Sequence, residues 1–236
     1  MIDWHSHILP AMDDGSQNVI ESISLLNMLA SQGVTTVIAT PHFYANDETI
    51  DTFLKRRTES FAQLEAVRTD STPKVLLGAE VKYYQGISRM NGIEALRIED
   101  TKMLLLEMPV SIWSDYMVRE LLELSSKRSL QIVLAHVERY LPIQKHGVWE
   151  ELLDSGLLMQ VNASYFTSFT SKRKALSRLK DGMIHLIGSD CHNLTVRPPK
   201  IGKAFEMIQK KLGEEFLDQL TAYGYSLLTE NNFQTL

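Results

Sequence analysis

Five of the seven histidines in this 236-residue chain fall at one kind of place, and three acidic residues fall there with them. His5 and His7 close the first apolar run, His42 follows the second and Glu80 the third. Glu107 follows the fourth, His136 the fifth, and Asp190 with His192 the seventh. Imidazole and carboxylate are the ligand types that hold divalent cations such as Mn, Zn or Fe(II), and the chain has no cysteine cluster for a thiolate site. Each residue alone has a local explanation. The His-x-His pair could put one ring on either face of a strand. His42, behind Thr40-Pro41, could cap a turn or make a buried hydrogen bond. Glu80 and Glu107 close the runs VLLGAE and MLLLEM, where a carboxylate is costly to bury unless a cation or hydrogen bonds satisfy it. A shared metal site replaces these independent explanations with one. Eight donors exceed what one ion needs and carboxylates can bridge, so two or three divalent ions about 3.5–4 Å apart are expected.

Such a centre makes a hydroxide nucleophile from water and clamps phosphoryl oxygens. Arg139, in AHVERY, and Arg197, shortly after His192, could each present a fork of donors to a phosphoryl group; either could equally make a structural salt bridge. Asp13 and Asp14 lie in a DDG turn that Asp-Gly chemistry explains in part, and one of them could position a proton donor. His146 and His185 stand outside the pattern and read as surface or helix-packing residues. Cys191 and Arg197 also have the Cys-x5-Arg spacing of cysteine-dependent tyrosine phosphatases. That loop needs backbone N–H groups aimed at phosphate and a helix beginning at its end, whereas here Asp190 and His192 flank the cysteine and Pro198-Pro199 follow the arginine.

The elements that must bring these residues together are short apolar runs at 1–4, 35–39, 74–79, 102–106, 131–135, 157–161 and 184–188, suited to buried parallel strands. Helical periodicity fills most of the gaps, for example Val19, Ile23, Leu26 and Ala30, or Phe53, Phe61, Leu64 and Val67. A loop with Gly86 and Gly92 precedes a short helical piece at residues 93–96, and residues 201–228 read as two or three helices. Seven β/α units predict right-handed crossovers and a closed or nearly closed parallel barrel, with the ligands on its C-terminal rim. No repeat or linker divides the chain, so one domain over residues 1–236 is expected. Hydrophobic residues are 44% and charged residues 22%, ordinary for a globular protein. No run is long and apolar enough for membrane insertion, and Asp3, His5 and His7 interrupt any leader-like apolar core. The single cysteine fits a reducing compartment, and the cytoplasm is expected. A net charge of -5 gives no basis for nucleic-acid binding. The basic clusters Lys55-Arg56-Arg57 and Lys172-Arg173-Lys174 read as solvated helix faces.

The segments DWHSHILPAMDDGS, TPHF, GAEVKY, LLLEMP, LAHVERY and GSDCHNLTVRPP resemble, in this order, the PHP superfamily of metal-dependent phosphoesterases. Within it they are similar to the bacterial protein-tyrosine phosphatases encoded with capsule or exopolysaccharide synthesis genes. Ala11 departs from the family pattern, which usually has glycine there. The resemblance implies a distorted, TIM-like (β/α)7 barrel of the PHP fold, about three metal ions, most often manganese, and phosphotyrosine as substrate. The phosphotyrosine would typically sit on the tail of a bacterial tyrosine kinase that controls polysaccharide export. It also implies His5, His7, His42, Glu80, Glu107, His136, Asp190 and His192 as metal ligands, Arg139 and Arg197 as phosphate binders, and Asp14 as a general acid. A PHP enzyme for a small ester such as histidinol phosphate is the alternative. An amidohydrolase would commonly offer a metal-bridging lysine, and a non-catalytic metal-binding or docking module would hydrolyse nothing.

Overall fold

The computed structural model describes residues 1–229. In chain order they form β1 (Ile2–Ser6), α1 (Val19–Ser31), β2 (Thr36–Ala39), β3 (His42–Phe43), α2 (Ile50–Glu65), β4 (Lys74–Leu77), β5 (Glu80–Lys82) and β6 (Met103–Glu107). There follow α3 (Asp115–Arg128), β7 (Gln131–Leu134), α4 (Val148–Asp154), β8 (Leu158–Asn162), α5 (Ser164–Thr167), α6 (Lys172–Lys180), β9 (Leu186–Gly188), α7 (Ile201–Leu212) and α8 (Glu214–Thr229). Every strand pairing is parallel, in the orders β1-β2-β4 and β3-β5-β6-β7-β8-β9.

Two of the seven expected strands are each broken in two. Pro41, which has no N–H for the ladder, separates β2 from β3, and Gly78-Ala79 separates β4 from β5. Both breaks fall at the same level, and Gly78 N donates to Ala39 O at 2.8 Å while Glu80 N donates to Pro41 O at 3.0 Å. The sheet therefore bends there without losing register. After β9 the chain reaches β1, with Asp190 N donating to His5 O at 2.8 Å and His7 N to Cys191 O at 2.9 Å.

Alternation along the strands divides the core into two layers. Val37, Val75, Leu77, Leu104, Leu106, Ile132 and Leu134 pack beneath the helices, against residues such as Leu25, Phe53, Leu121 and Ile208. On the opposite, concave face lie Ile38, Leu76, Met103, Leu105, Val133 and Leu158, closed at the base by Leu227 and Leu228 of α8. The same parity, carried to the strands' C-terminal ends, changes from apolar to polar: Leu76 leads to Glu80 and Lys82, Leu105 to Glu107, Ile38 to His42, and Leu158 to Gln160 and Asn162. The concave face is thus a hydrophobic plug below and a polar basin above.

Several local expectations shift. His5 lies within β1, His42 in β3, Glu80 in β5 and Glu107 in β6, inside strands rather than past them. The buried face of α1 is Ser22, Leu25, Leu26 and Leu29, and Val67 lies beyond α2 and is exposed. Of the first basic cluster only Lys55 lies on the solvated helix face, beside Glu59 at 4.0 Å. Arg56 donates to Met12 O and Glu48, and the buried Arg57 donates to Gly78 O at 2.6 Å, supporting the bend in the third strand.

Candidate metal centre

All eight expected ligands converge at the polar end of the concave face, seven of them buried and His42 partly so. Glu80 is central. Its Oε2 lies 3.3 Å from His5 Nε2, 3.4 Å from His7 Nε2 and 2.9 Å from His42 Nδ1, and its Oε1 lies 2.8 Å from His136 Nε2. Glu107 Oε1 is 3.5 Å from His136 Nε2. Asp190 Oδ1 faces His5 and His7 at 3.8 and 3.5 Å. Three groups of donors could each hold a cation: His7, Asp14, His42 and His192; His5, His7 and Asp190; His42, Glu80 and Glu107.

The outer partners of the rings fix which nitrogen faces inward. Asp13 Oδ2 accepts from His7 Nδ1 at 2.7 Å, and the backbone oxygen of Asp190 accepts from His192 Nδ1 at 3.0 Å. Gln160 Oε1 must be the oxygen, because the backbone N–H of His136 donates to it at 2.7 Å; it therefore also accepts from His5 Nδ1 at 3.3 Å. His5, His7 and His192 then present Nε2 lone pairs, the arrangement that outer carboxylates and carbonyls impose on metal-binding histidines. His5 Nε2 and His7 Nε2 are only 3.1 Å apart. Two bare lone pairs repel at that separation, yet two nitrogens about 2.1 Å from one cation and about 95° apart sit about 3.1 Å from each other. His42 Nδ1 is buried beside Glu80 but outside hydrogen-bond geometry, and no other group hydrogen-bonds to it. This donor set fits divalent cations.

Electrostatics agree. Burial opposes ionisation of Glu80, but the His5, His136 and His42 rings overcome it and hold its pKa well below the carboxylate range. Asp190 is held low in the same way, chiefly by His5, His7 and Arg197. Burial works against the His5 and His7 imidazoliums, yet the surrounding carboxylates raise both pKa values. Burial and the His7 charge lower His192 to about 4.

Local backbone choices place these groups. His136 and Asp190 both take positive φ, 34° and 52°, a conformation costing non-glycine residues about 1–3 kcal/mol. Gly188 passes so close to β1 that a Cβ there would lie 2.5 Å from His5 Cβ. Ala11, where the family pattern has glycine, has φ 55° and closes its loop by donating to Ser16 O at 2.8 Å.

Arg139 and Arg197 are half-exposed, and each donates to Asp190 Oδ2, at 3.0 and 2.8 Å. Asn162 donates to the same oxygen at 2.7 Å. The exposed Asp14 puts Oδ1 3.4 Å from His42 Nε2 and 3.3 Å from His192 Nε2. A cavity of about 410 Å³ opens here, lined by Tyr44, Lys82, Arg139, Asn162, Arg197 and Lys200 as well as the central acids. Sequence reasoning missed Gln160, Asn162, Lys82 and Tyr140, whose hydroxyl is 3.1 Å from His136 Nδ1. Strand parity was the available signal for the first three. His146 is exposed, and His185 accepts from Met159 N at 3.0 Å; neither joins the centre. Cys191 is buried, and burial with the Asp3 charge pushes its thiol pKa up, away from thiolate chemistry.

The chain is 28% identical over 245 residues to the tyrosine-protein phosphatase CpsB of Streptococcus agalactiae serotype V, covering 99% of this chain and 100% of the relative. It is 30% identical to the tyrosine-protein phosphatase YwqE of Bacillus subtilis, covering 97% and 91%. A solved chain from the crystal structures of YwqE and of CpsB from Streptococcus pneumoniae, metal-dependent tyrosine phosphatases, matches with TM-score 0.77 and 27% identity over 97% of this chain and 94% of that one. Residues 1–227 match the family described as capsular polysaccharide synthesis, CpsB/CapC, and the chain belongs to that family.

Proposed function

We propose that the protein is a metal-dependent protein-tyrosine phosphatase whose substrate is the phosphotyrosine-bearing tail of a bacterial tyrosine kinase controlling capsular or exopolysaccharide synthesis. The observation that carries this is the inward-facing set of Nε2 atoms around Glu80, together with two arginines at the mouth of the same cavity. His5, His7, His42, Glu80, Glu107, His136, Asp190 and His192 hold two or three divalent ions, manganese first and iron or zinc as alternatives. The fold is a distorted (β/α)7 barrel of the PHP type, in one domain spanning the chain, working in the cytoplasm.

Bound ions supply a nucleophile from water at neutral pH and Lewis acidity toward phosphoryl oxygens. Arg139 and Arg197 turn their forks from Asp190 toward the phosphoryl group and compensate the charge on its equatorial oxygens. Asn162 keeps its bond to Asp190 meanwhile and holds that carboxylate in place. Asp14, exposed above His42 and His192, delivers a proton to the departing tyrosyl oxygen. Tyrosine, with a pKa of about 10, is a moderate leaving group, so this proton helps without being indispensable.

The test is hydrolysis of a phosphotyrosine peptide by chelator-stripped protein with Mn²⁺ restored, beside histidinol phosphate and other small esters. The reading predicts metal-dependent turnover with the peptide preferred. Bound metal with no phosphoester turnover would place the chain among non-catalytic docking modules.

A further inference from the structure

Beside its charged groups the cavity also carries apolar surface. Tyr44 and Val196 both line it, and both are exposed, Tyr44 at 37% and Val196 at 81%. They come from the strands on either side of β1. Tyr44 follows β3, whereas Val196 follows β9 and immediately precedes Arg197; the β1 loop carrying His7 and Asp14 lies between. Tyr44 is held by His42, with ring centroids 5.3 Å apart and a 31° tilt. Val196 is held at its backbone, where its N–H donates to Asn193 Oδ1 at 2.7 Å, as does that of Arg197 at 3.0 Å. Tyr44 thus packs on a ring of the centre and Val196 is anchored at its backbone, and both leave apolar surface open at the cavity.

We infer that Tyr44 and Val196 form a subsite for the aromatic ring of the substrate, contacting the ring of an aryl phosphate while its phosphoryl group reaches Arg139 and Arg197. The inference rests on the phosphatase reading above and adds the group that selects the leaving alcohol. Reach supplies the physical reason. A phosphoryl group on an aryl ring stands a full ring's length from its polypeptide, so with the phosphoryl group at Arg139 and Arg197 the ring still lies within the cavity, where Tyr44 and Val196 offer apolar surface. A serine phosphate of the same peptide has only one methylene to offer that surface, and its chain would have to enter the cavity. Offset stacking on Tyr44 and van der Waals contact with Val196 favour the aromatic substrate.

The experiment compares kcat and KM for phosphotyrosine and phosphoserine versions of one peptide, in the Mn²⁺-loaded wild type, Tyr44→Ala, Tyr44→Phe and Val196→Ser, with metal content measured in each. Tyr44→Ala is expected to raise KM for the phosphotyrosine peptide about tenfold, equivalent to about 1.4 kcal/mol, and to lower the phosphotyrosine-to-phosphoserine ratio of kcat/KM by about the same factor. Tyr44→Phe keeps the ratio, because the ring and not the hydroxyl does the selecting. Val196→Ser lowers it severalfold. A ratio unchanged in Tyr44→Ala and Val196→Ser would overturn the subsite and leave the phosphatase reading standing. A wild type that hydrolyses neither peptide would overturn both.

Discussion

Asp13 offers the sharpest test of how the centre is built, because it holds three donors at once. Its Oδ2 accepts from His7 Nδ1 at 2.7 Å and from His42 N at 2.8 Å, and its Oδ1 accepts from Gly15 N at 2.9 Å. Burial disfavours the charged carboxylate, but the His7 ring and these N–H groups hold its pKa far below the usual range. Asp13→Ala removes the acceptor from all three donors. His7 is then free to move its proton to Nε2, which removes the lone pair aimed at the centre. The lost bond to a charged partner is worth about 1.5–3 kcal/mol. Removing such an outer partner typically costs 10- to 100-fold in metal affinity, about 1.4–2.8 kcal/mol. These ranges overlap near 2 kcal/mol, so Mn²⁺ affinity is expected to fall about 30-fold. Calorimetric titration of chelator-stripped protein reads this directly, with a thermal melt to show that the variant is folded. Asp13→Asn can turn its amide oxygen to accept from His7 Nδ1 and His42 N, giving up only the Gly15 bond and the charge, and should lose less. Alanine binding Mn²⁺ as tightly as the wild type, or asparagine proving the worse of the two, would refute the tautomer argument and reduce Asp13 to a loop-ordering residue.

Cys191→Ser should keep kcat/KM within about threefold, since a thiol held un-ionised is no nucleophile at neutral pH; loss of activity there, with activity surviving a chelator, would reverse the mechanistic assignment. Gly188→Ala puts a methyl 2.5 Å from His5 Cβ and 2.8 Å from Gln160 Nε2, an overpacking expected to cost about 1–3 kcal/mol in denaturant unfolding. Metal uptake should release protons, because His5 and His7 are raised above their ordinary 6.5 and must lose those protons to bind. Apparent affinity therefore weakens as pH falls toward 6. The stability these two imidazoliums give the metal-free protein runs the other way, present below 6.5 and lost as pH rises through their raised values. A weakly buffered titration at pH 7 with no acidification would contradict both statements.

What was legible in the sequence was the position of the donors, because a polar residue at the end of an apolar run is conspicuous. His5, Glu80, Glu107 and Asp190 are visible for that reason. The kinks were not. Pro41 marks a break, but that Gly78-Ala79 would break the neighbouring strand at the same level depends on register between residues 38 apart in sequence. Arg57 was misread for the same cause: a basic triplet on a helix looks solvated until a bent strand offers it the bare carbonyl of Gly78. The outer partners were hidden differently. Gln160 and Asn162 lie in the strand LMQVN, where parity with Leu158 puts them on the concave face. Nothing in their types says that one orients His5 and the other Asp190.

The arrangement also decides between related chemistries that share a His-x-His start. A lysine does stand at this centre, but Lys82 spends its ammonium on Glu107 Oε2 at 2.7 Å, and the place a bridging ligand would take, in contact with four rings, belongs to Glu80. Charge carries the argument further. Asp13, Asp14, Glu80, Glu107 and Asp190 face Lys82, Arg139, Arg197 and Lys200, so with every imidazole neutral the acids outnumber the cations by one. Divalent cations held there would turn the basin positive, which suits a phosphate monoester with its charge of about two better than a neutral amide.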